Sequence, residues 1–226
     1  LCDCDRKNLG LDLDHLEYLC RTQKPSVLIL VHVLGHANHV LEIQEICDRY
    51  GVLLLEDSCE ALGSSIDGKK LGSHGLAGSF SFYYGHHIST IEGGMVVTDN
   101  DELNQIMLSL RSHGWSRDLS EERRLSLTQG PNVDAFRNLY TFYHPGFNLR
   151  STDFQAFIGR SQLKKLDDIV KIRARNFAQY KAALPDFFCQ NSLTETLSSF
   201  AYGTLVQNRL EVFEFLKRNQ IECRPL

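Results

Sequence analysis

The chain has 226 residues, of which 42% are hydrophobic and 23% charged, a balance ordinary for a folded globular protein and too apolar for a disordered one. Its net charge is -4 and its 24 Lys and Arg are scattered without a basic block, which argues against nucleic acid or an anionic membrane surface as a partner. No apolar run approaches the ~20 residues that a membrane-spanning helix needs, and no signal peptide is visible.

In chain order, residues 11–22 place Leu13, Leu16 and Leu19 or Cys20 on one side of a short amphipathic helix. Ser26 to Leu34 is a continuous apolar run with β-branched content, the pattern of a buried parallel strand. Asn38 is placed to cap a second helix with Val40, Ile43, Ile46, Cys47 and Tyr50 on its apolar face and Gly51 as its stop. Val52 to Leu55 reads as another buried strand. Strand, helix and strand at this spacing form a βαβ unit, with parallel pairing and a right-handed crossover.

Asp57 falls just past the carboxyl end of that second strand, where an acid serves as readily as a loop cap. Ser64 to Gly75 is a polar, glycine-rich surface loop with Lys69 and Lys70 facing solvent. Phe80 to Tyr84 has the aromatic and small residues of a third buried strand, and Gly93-Gly94 opens a fourth, Met95 to Thr98. The turn between them displays His86, His87, Ser89, Thr90 and Glu92 at a strand end, where open α/β sheets put their chemistry. Asp57 and His86 therefore close adjacent strands and converge on one crevice.

Residues 100–111 form a helix with Leu103, Ile106, Met107 and Leu110 inward, and Arg111 to Trp115 returns as a loop carrying His113 towards the crevice. Ser116 to Phe142 is charged and irregular, a connection long enough to be functional or mobile. Ser151 to Leu184 reads as one long helix, straight or kinked, ended by Pro185. Phe154, Phe157, Ile158, Leu166, Ile169, Val170, Phe177 and Tyr180 are its candidate buried positions. Phe200 to Val206 as a strand and Glu211 to Asn219 as a helix complete the pattern of an unfinished small α+β domain. The absence of an initial Met and of a closing element after Cys223 leads to the expectation that the chain is a piece of a longer protein. Seven cysteines with irregular spacing, apart from the Cys2-x-Cys4 pair, read as free thiols in a reducing cytoplasm.

Ser81, His86 and Glu92-Gly93-Gly94 fall on the motif Ser-Phe-x-x-x-Lys-x-x-x-x-x-Glu-Gly-Gly of sugar aminotransferases that use pyridoxal 5′-phosphate (PLP). The chain resembles that family, the DegT/DnrJ/EryC1/StrS type, over nearly all its length. It departs at the central residue: His86 stands where the family carries the lysine that holds the cofactor covalently, and no lysine occurs between Lys70 and Lys164. Histidine at this position resembles the PLP-dependent sugar 3-dehydratases.

The resemblance implies an aspartate-aminotransferase-like (fold type I) α/β domain with a mostly parallel sheet. Residues 1–146 would belong to it, and residues 147–226 would hold a linking helix and part of a smaller α+β domain. The missing N-terminal part would supply amides for the cofactor phosphate and a ring-stacking aromatic. Asp57 is implied to keep the pyridine nitrogen protonated. Glu60 would lie against the cofactor, and Ser81 would bind its phosphate. Gly146-Phe-Asn148-Leu-Arg150-Ser-Thr-Asp153 matches a second family motif, whose asparagine reaches the phosphate in the neighbouring subunit, so Asn148 implies a homodimer with shared sites. His113 and Glu92 are secondary candidates.

Histidine cannot form lysine's covalent link, so non-covalent contacts alone would hold PLP or its aminated form, pyridoxamine 5′-phosphate. With an unperturbed pKa of ~6.5, an imidazole can still take and give protons near neutrality. The implied activity is removal of the C3 hydroxyl from a nucleotide-linked 4-keto-6-deoxy sugar, GDP being the expected nucleotide, with L-glutamate as amino donor and ammonia as product. His86 would serve both the C4′ proton and the departing hydroxyl. No metal is expected: a related dehydratase carries an iron-sulfur cluster, which needs about four thiolates, whereas Phe80 to Phe188 contains no cysteine. A true aminotransferase and a non-catalytic binding protein of the same fold are the alternatives.

Overall fold

The computed structural model describes residues 1–128 and 133–226. Helix α1 (Leu13–Gln23) starts where the Asp12 side chain accepts the His15 amide, and it buries Leu16 and Cys20. Strand β1 (Val27–Val31) ends earlier than the apolar run suggested, because Val33–Gly35 tightens into a 3-10 turn with Leu34 at φ 56°. Helix α2 (Val40–Tyr50) buries Val40, Ile43, Ile46 and Cys47 and stops at Gly51, whose φ of 69° suits a residue without a Cβ. Its N-cap is His39, not Asn38. Asn38 instead donates from Nδ2 to the Val31 carbonyl and accepts the Leu11 amide, both at 2.8 Å, tying the strand end to the N-terminal segment.

Strand β2 (Leu53–Asp57) runs parallel to β1 in the register Val27↔Leu53 to Val31↔Asp57, the expected βαβ unit. The expectation that these strands are covered on both sides is corrected. Side chains alternate across a strand, and α1 and α2 both lie over the Leu30 and Leu54 side. On the other face Ile29 stays 64% exposed and Leu53 51% exposed among the described residues. The expected loop 64–75 contains a small hairpin, β3 (Ser65–Ile66) and β4 (Lys69–Lys70), with both lysines exposed as expected.

Strand β5 (Ala77–Ser81) pairs parallel to β2, with Asp57 beside Ser79, and β6 (Gly94–Val97) pairs antiparallel to β5, with Ser81 beside Gly94. The sheet order is β1-β2-β5-β6, three parallel strands and one antiparallel edge. Helix α3 (Asp101–Leu110) is capped by Asn100, whose side chain accepts the Leu103 amide, though its apolar side is only half-buried. The charged span 116–142 holds α4 (Glu121–Thr128) and α5 (Ala135–Asn138); its residues Gln129 to Asn132 lie outside the described residues.

The long helix is divided at Lys164 and Lys165 into α6 (Asp153–Leu163), opened by a Thr152/Gln155 capping box, and α7 (Leu166–Ala183), which stops before Pro185. Val170 and Phe177 are buried as expected, but Phe154, Phe157 and Tyr180 are exposed. No strand forms over 200–206; helix α8 (Arg209–Arg218) follows that stretch. The residues just before it are bonded to the sheet domain instead: Thr196 bridges Ser65, and the Thr194 hydroxyl accepts the Ala37 amide at 2.8 Å. No helix among the described residues is long and apolar enough to cross a membrane.

Candidate active site

Asp57 is the last residue of β2, and its side chain points to the uncovered face while the neighbouring Glu56 points into the core. The Asp57 Oδ1 accepts the Cys59 amide at 3.0 Å and the Ser79 hydroxyl at 3.4 Å. Oδ2 has no hydrogen-bond partner among the described residues. His86 lies in the turn after β5, and its Nδ1 sits 2.6 Å from the Cys59 carbonyl. A carbonyl only accepts, so Nδ1 carries the hydrogen and Nε2 is left as the nitrogen free for chemistry. One residue's backbone thus holds both candidates, its N–H on Asp57 and its C=O on His86. The Cys59 thiol takes no part as a thiolate: burial, with the adjacent Asp57 carboxylate, pushes its pKa up to about 11.

Glu56 fixes the strand end from below. Its carboxylate is fully buried and accepts His32 Nε2 at 3.0 Å, the Gly72 amide at 2.8 Å, the His74 amide at 2.6 Å and the Gly75 amide at 2.7 Å. Burial alone would raise its pKa, but the bonds from His32, Gly75 and Gly72 outweigh burial and hold it below the ordinary value. The carboxylate therefore stays ionised and locks the 72–75 loop to β2, which keeps Asp57 and Ser79 side by side.

His87 and Thr90, expected on display beside His86, are packed inside at 5% and 6% exposure. The reason is a partner far along the chain: His87 Nε2 donates to the Ser198 carbonyl at 2.9 Å. Burial, opposed in part by that bond, lowers its pKa to about 4, so it stays neutral at physiological pH. Thr90 turns its hydroxyl back onto the Glu92 carbonyl at 2.8 Å.

The other candidates are placed as follows. Ser81 ends β5, half-exposed, with Oγ accepting the Tyr83 amide at 3.3 Å and its own hydrogen free to donate. Glu60 is half-buried, with Oε2 on the Leu34 amide at 2.8 Å and Oε1 3.5 Å from Arg224. The Glu92 side chain is exposed, and its carbonyl accepts Gln155 Nε2 at 2.7 Å, which docks α6 onto this turn. His113, at φ 62°, donates its amide to the Phe147 carbonyl at 2.7 Å, and its ring meets Trp115 at 5.2 Å. Asn148 is exposed on the segment bridged to Ser112 and, among the described residues, makes no bond to Asp57, Ser81 or His86 of the same chain. Asp57, Glu60, Ser81 and His86 thus line the ends of β2 and β5, while His113 and Asn148 lie on two segments joined by the Ser112–Asn148 bridge. Cys59 as backbone holder and Phe200, whose ring lies 5.1 Å from that of His86, had no signal in the sequence.

The chain is similar to several known proteins. The GDP-4-keto-6-deoxy-D-mannose 3-dehydratase of Yersinia pseudotuberculosis is 35% identical over 232 residues, taking in 99% of this chain and 58% of that protein. The Escherichia coli GDP-4-keto-6-deoxy-D-mannose-3-dehydratase solved with bound hydrated PLP superposes with a TM-score of 0.89 at 33% identity, over 99% of this chain and 59% of that one. A GDP-4-keto-6-deoxymannose-3-dehydratase with a trapped PLP-glutamate geminal diamine superposes with a TM-score of 0.86 at 32% identity, over the same shares of the two chains. The chain thus spans 58% to 59% of the length of these relatives. The model of the DegT/DnrJ/EryC1/StrS aminotransferase family matches residues 1–226 without a gap at either end, and the chain belongs to that family.

Proposed function

We propose that the protein is a PLP-dependent 3-dehydratase that removes the C3 hydroxyl of a nucleotide-linked 4-keto-6-deoxy sugar, with GDP as the nucleotide and L-glutamate as amino donor. The observation that carries this reading is the pairing of Asp57 and the histidine His86 on the two backbone groups of Cys59. The donor set fits PLP. Asp57 offers a carboxylate oxygen without a partner among the described residues for the ring nitrogen, Ser81 offers a hydroxyl hydrogen for the phosphate, and His86 offers its Nε2 where a lysine would bond covalently. When bound, the cofactor supplies an electron sink for charge developing beside its ring.

Asp57 would hold the proton on the ring nitrogen, and the Cys59 and Ser79 bonds keep its carboxylate aimed. Nε2 of His86 would take a proton at the cofactor's C4′ carbon and give it to the oxygen leaving C3. The bond from Nδ1 to the Cys59 carbonyl stabilises the imidazolium between those two events. The sum is one keto sugar and one glutamate giving one 3-deoxy keto sugar, one 2-oxoglutarate and one ammonia. The exposed Asn148, which matches the family asparagine that reaches the neighbouring subunit, supports a homodimer in which it reaches the partner's site. Seven cysteines without a disulfide support a cytoplasmic setting, and the cysteine-free span from Phe80 to Phe188 supports a reaction without an iron-sulfur centre.

The test is to incubate the purified full-length protein with PLP, glutamate and GDP-4-keto-6-deoxymannose. Ammonia and a 3-deoxy product should form in equal amounts with chelators present, and borohydride should fix no PLP to the chain. A borohydride-stable lysine adduct, or an amino sugar as the product, would overturn the dehydratase reading.

A further inference from the structure

The segment from Thr194 to Phe200 is bonded at nearly every residue, to Arg173 of α7 and to sheet-domain partners more than a hundred positions away. Ser198 donates its amide to Ser64 Oγ and accepts from His87 Nε2, each at 2.9 Å. The Ser199 carbonyl accepts Arg173 Nη1 at 2.9 Å. Phe200 donates its amide to the Leu34 carbonyl at 2.9 Å and accepts Arg173 Nη1 at 3.1 Å. The approach is so close that a Cβ on Gly35 would stand 2.4 Å from the Ser198 carbonyl oxygen. Leu34, held in the left-handed region, donates its amide to Glu60 Oε2 and accepts the Phe200 amide on its carbonyl, so a strained turn joins the two.

What this strap delivers is the Phe200 ring. It lies 5.1 Å from the His86 ring at an angle of 42°, and the Arg224 guanidinium covers it at 5.6 Å. The bond from Nδ1 to Cys59 fixes one corner of the imidazole but leaves the ring free to rock about that contact. A flat neighbour held at both of its backbone groups removes that freedom. We propose that Phe200 is a positioning residue for His86, holding its ring so that Nε2 faces the reacting atoms; this rests on the reading of His86 as the proton carrier. Phe200 has no polar side-chain atom and acts only through His86.

The experiment compares Phe200→Ala and Phe200→Tyr with the unaltered full-length protein by two readouts. The first needs neither cofactor nor substrate: the rate at which diethyl pyrocarbonate modifies His86, measured by peptide mass, with His15 and His39 as internal references. The second is steady-state ammonia release. Phe200→Ala should modify several-fold faster at His86 alone, and kcat should fall about tenfold to a hundredfold with KM for the keto sugar within about twofold. Phe200→Tyr, which keeps the flat face, should restore both. An unchanged His86 modification rate in Phe200→Ala, or a Phe200→Tyr as impaired as Phe200→Ala, overturns the positioning role. If Phe200→Ala loses its cooperative melt, Phe200→Leu takes its place with the same expectations. Absence of dehydration in the unaltered protein would sink the dehydratase reading, while the modification rates would still decide the role of Phe200.

Discussion

Two buried histidines should make the fold acid-sensitive well above the range in which carboxylates titrate. His36 is 2% exposed and His87 5% exposed, and burial lowers the pKa of each to about 4. His36 packs edge-on against Phe177 at 5.0 Å with neither ring nitrogen partnered among the described residues, and His87 has Arg173 and His86 as cationic or titratable neighbours. An unfolded histidine protonates near pH ~6.5, so between there and pH 4 the unfolded chain binds more protons and stability falls as pH falls. Each site gives up roughly 1.4 kcal/mol by pH 5.5 and approaches ~3.4 kcal/mol below pH 4. Glu56, held below its ordinary value, loses its contribution only at lower pH, whereas His74, lowered by burial, adds to the same slope. Urea unfolding at pH 7.5 and pH 5.5 should therefore show a loss of roughly 3 kcal/mol in the unaltered protein from these two sites. His36→Leu, close in volume and unable to titrate, should recover about half of it. A stability unchanged between the two pH values, or a His36→Leu variant with the full loss, would refute the reasoning.

Three further outcomes are expected. Asp57→Asn keeps an oxygen for the Cys59 amide and the Ser79 hydroxyl but cannot hold charge on the ring nitrogen, so ammonia release should fall by about 10²- to 10³-fold with the melting temperature nearly unchanged; full activity would remove Asp57 from the site. His86→Lys should retain PLP through dialysis yet lose dehydration, while His86→Asn should lose dehydration without retaining PLP, and equal ammonia release by both would point to another base. Glu56→Gln turns an amide NH2 towards backbone donors, which should cost roughly 2 to 4 kcal/mol in denaturant unfolding; a change below about 1 kcal/mol would mean that the 72–75 loop is held by other contacts.

The part of the fold legible in the sequence is the part built from local periodicity. Leu16 and Cys20, or Val40, Ile43 and Cys47, recur at helical spacing and are buried together. The strand end at Asp57 could be read because the apolar run Val52 to Leu55 stops just before it, whereas the expected strand Phe80 to Tyr84 is corrected: β5 runs Ala77–Ser81 and pairs with β2 through Ala77, Gly78 and Ser79, small residues that carry little strand signal. What was not legible depends on pairings distant in sequence. The βαβ pattern could not tell that one face of β1 and β2 would remain open, because alternation within a continuous apolar run carries no mark of which side is covered. His87 could not be told from His86, since its burial follows from Ser198, and Phe154 and Phe157 look like core on periodicity alone yet are exposed. The expected strand 200–206 failed for a similar reason: its apolar residues suit a ladder, but the backbone bonds of this region are made just upstream, by Thr196, Ser198 and Phe200.

The substitution at position 86 changes what the surrounding protein must do. A lysine bonded to the cofactor would be oriented by that bond, and its long stem would need little help from neighbours. An imidazole has no such restraint and must be held by contacts of its own, or side-chain freedom costs it about 1 kcal/mol or less in placement and more in reactivity. Three such contacts are present: the Cys59 carbonyl at Nδ1, the Phe200 ring at 5.1 Å and the edge of Tyr83 at 6.2 Å. Two of the three come from groups the family motif does not include, and one of those reaches the site through a strap fastened by His87, Arg173 and Leu34. A change in the small C-terminal segment that loosens this strap should therefore act on proton transfer before it acts on cofactor binding, because Asp57 and Ser81 depend on β2 and β5 and not on Phe200.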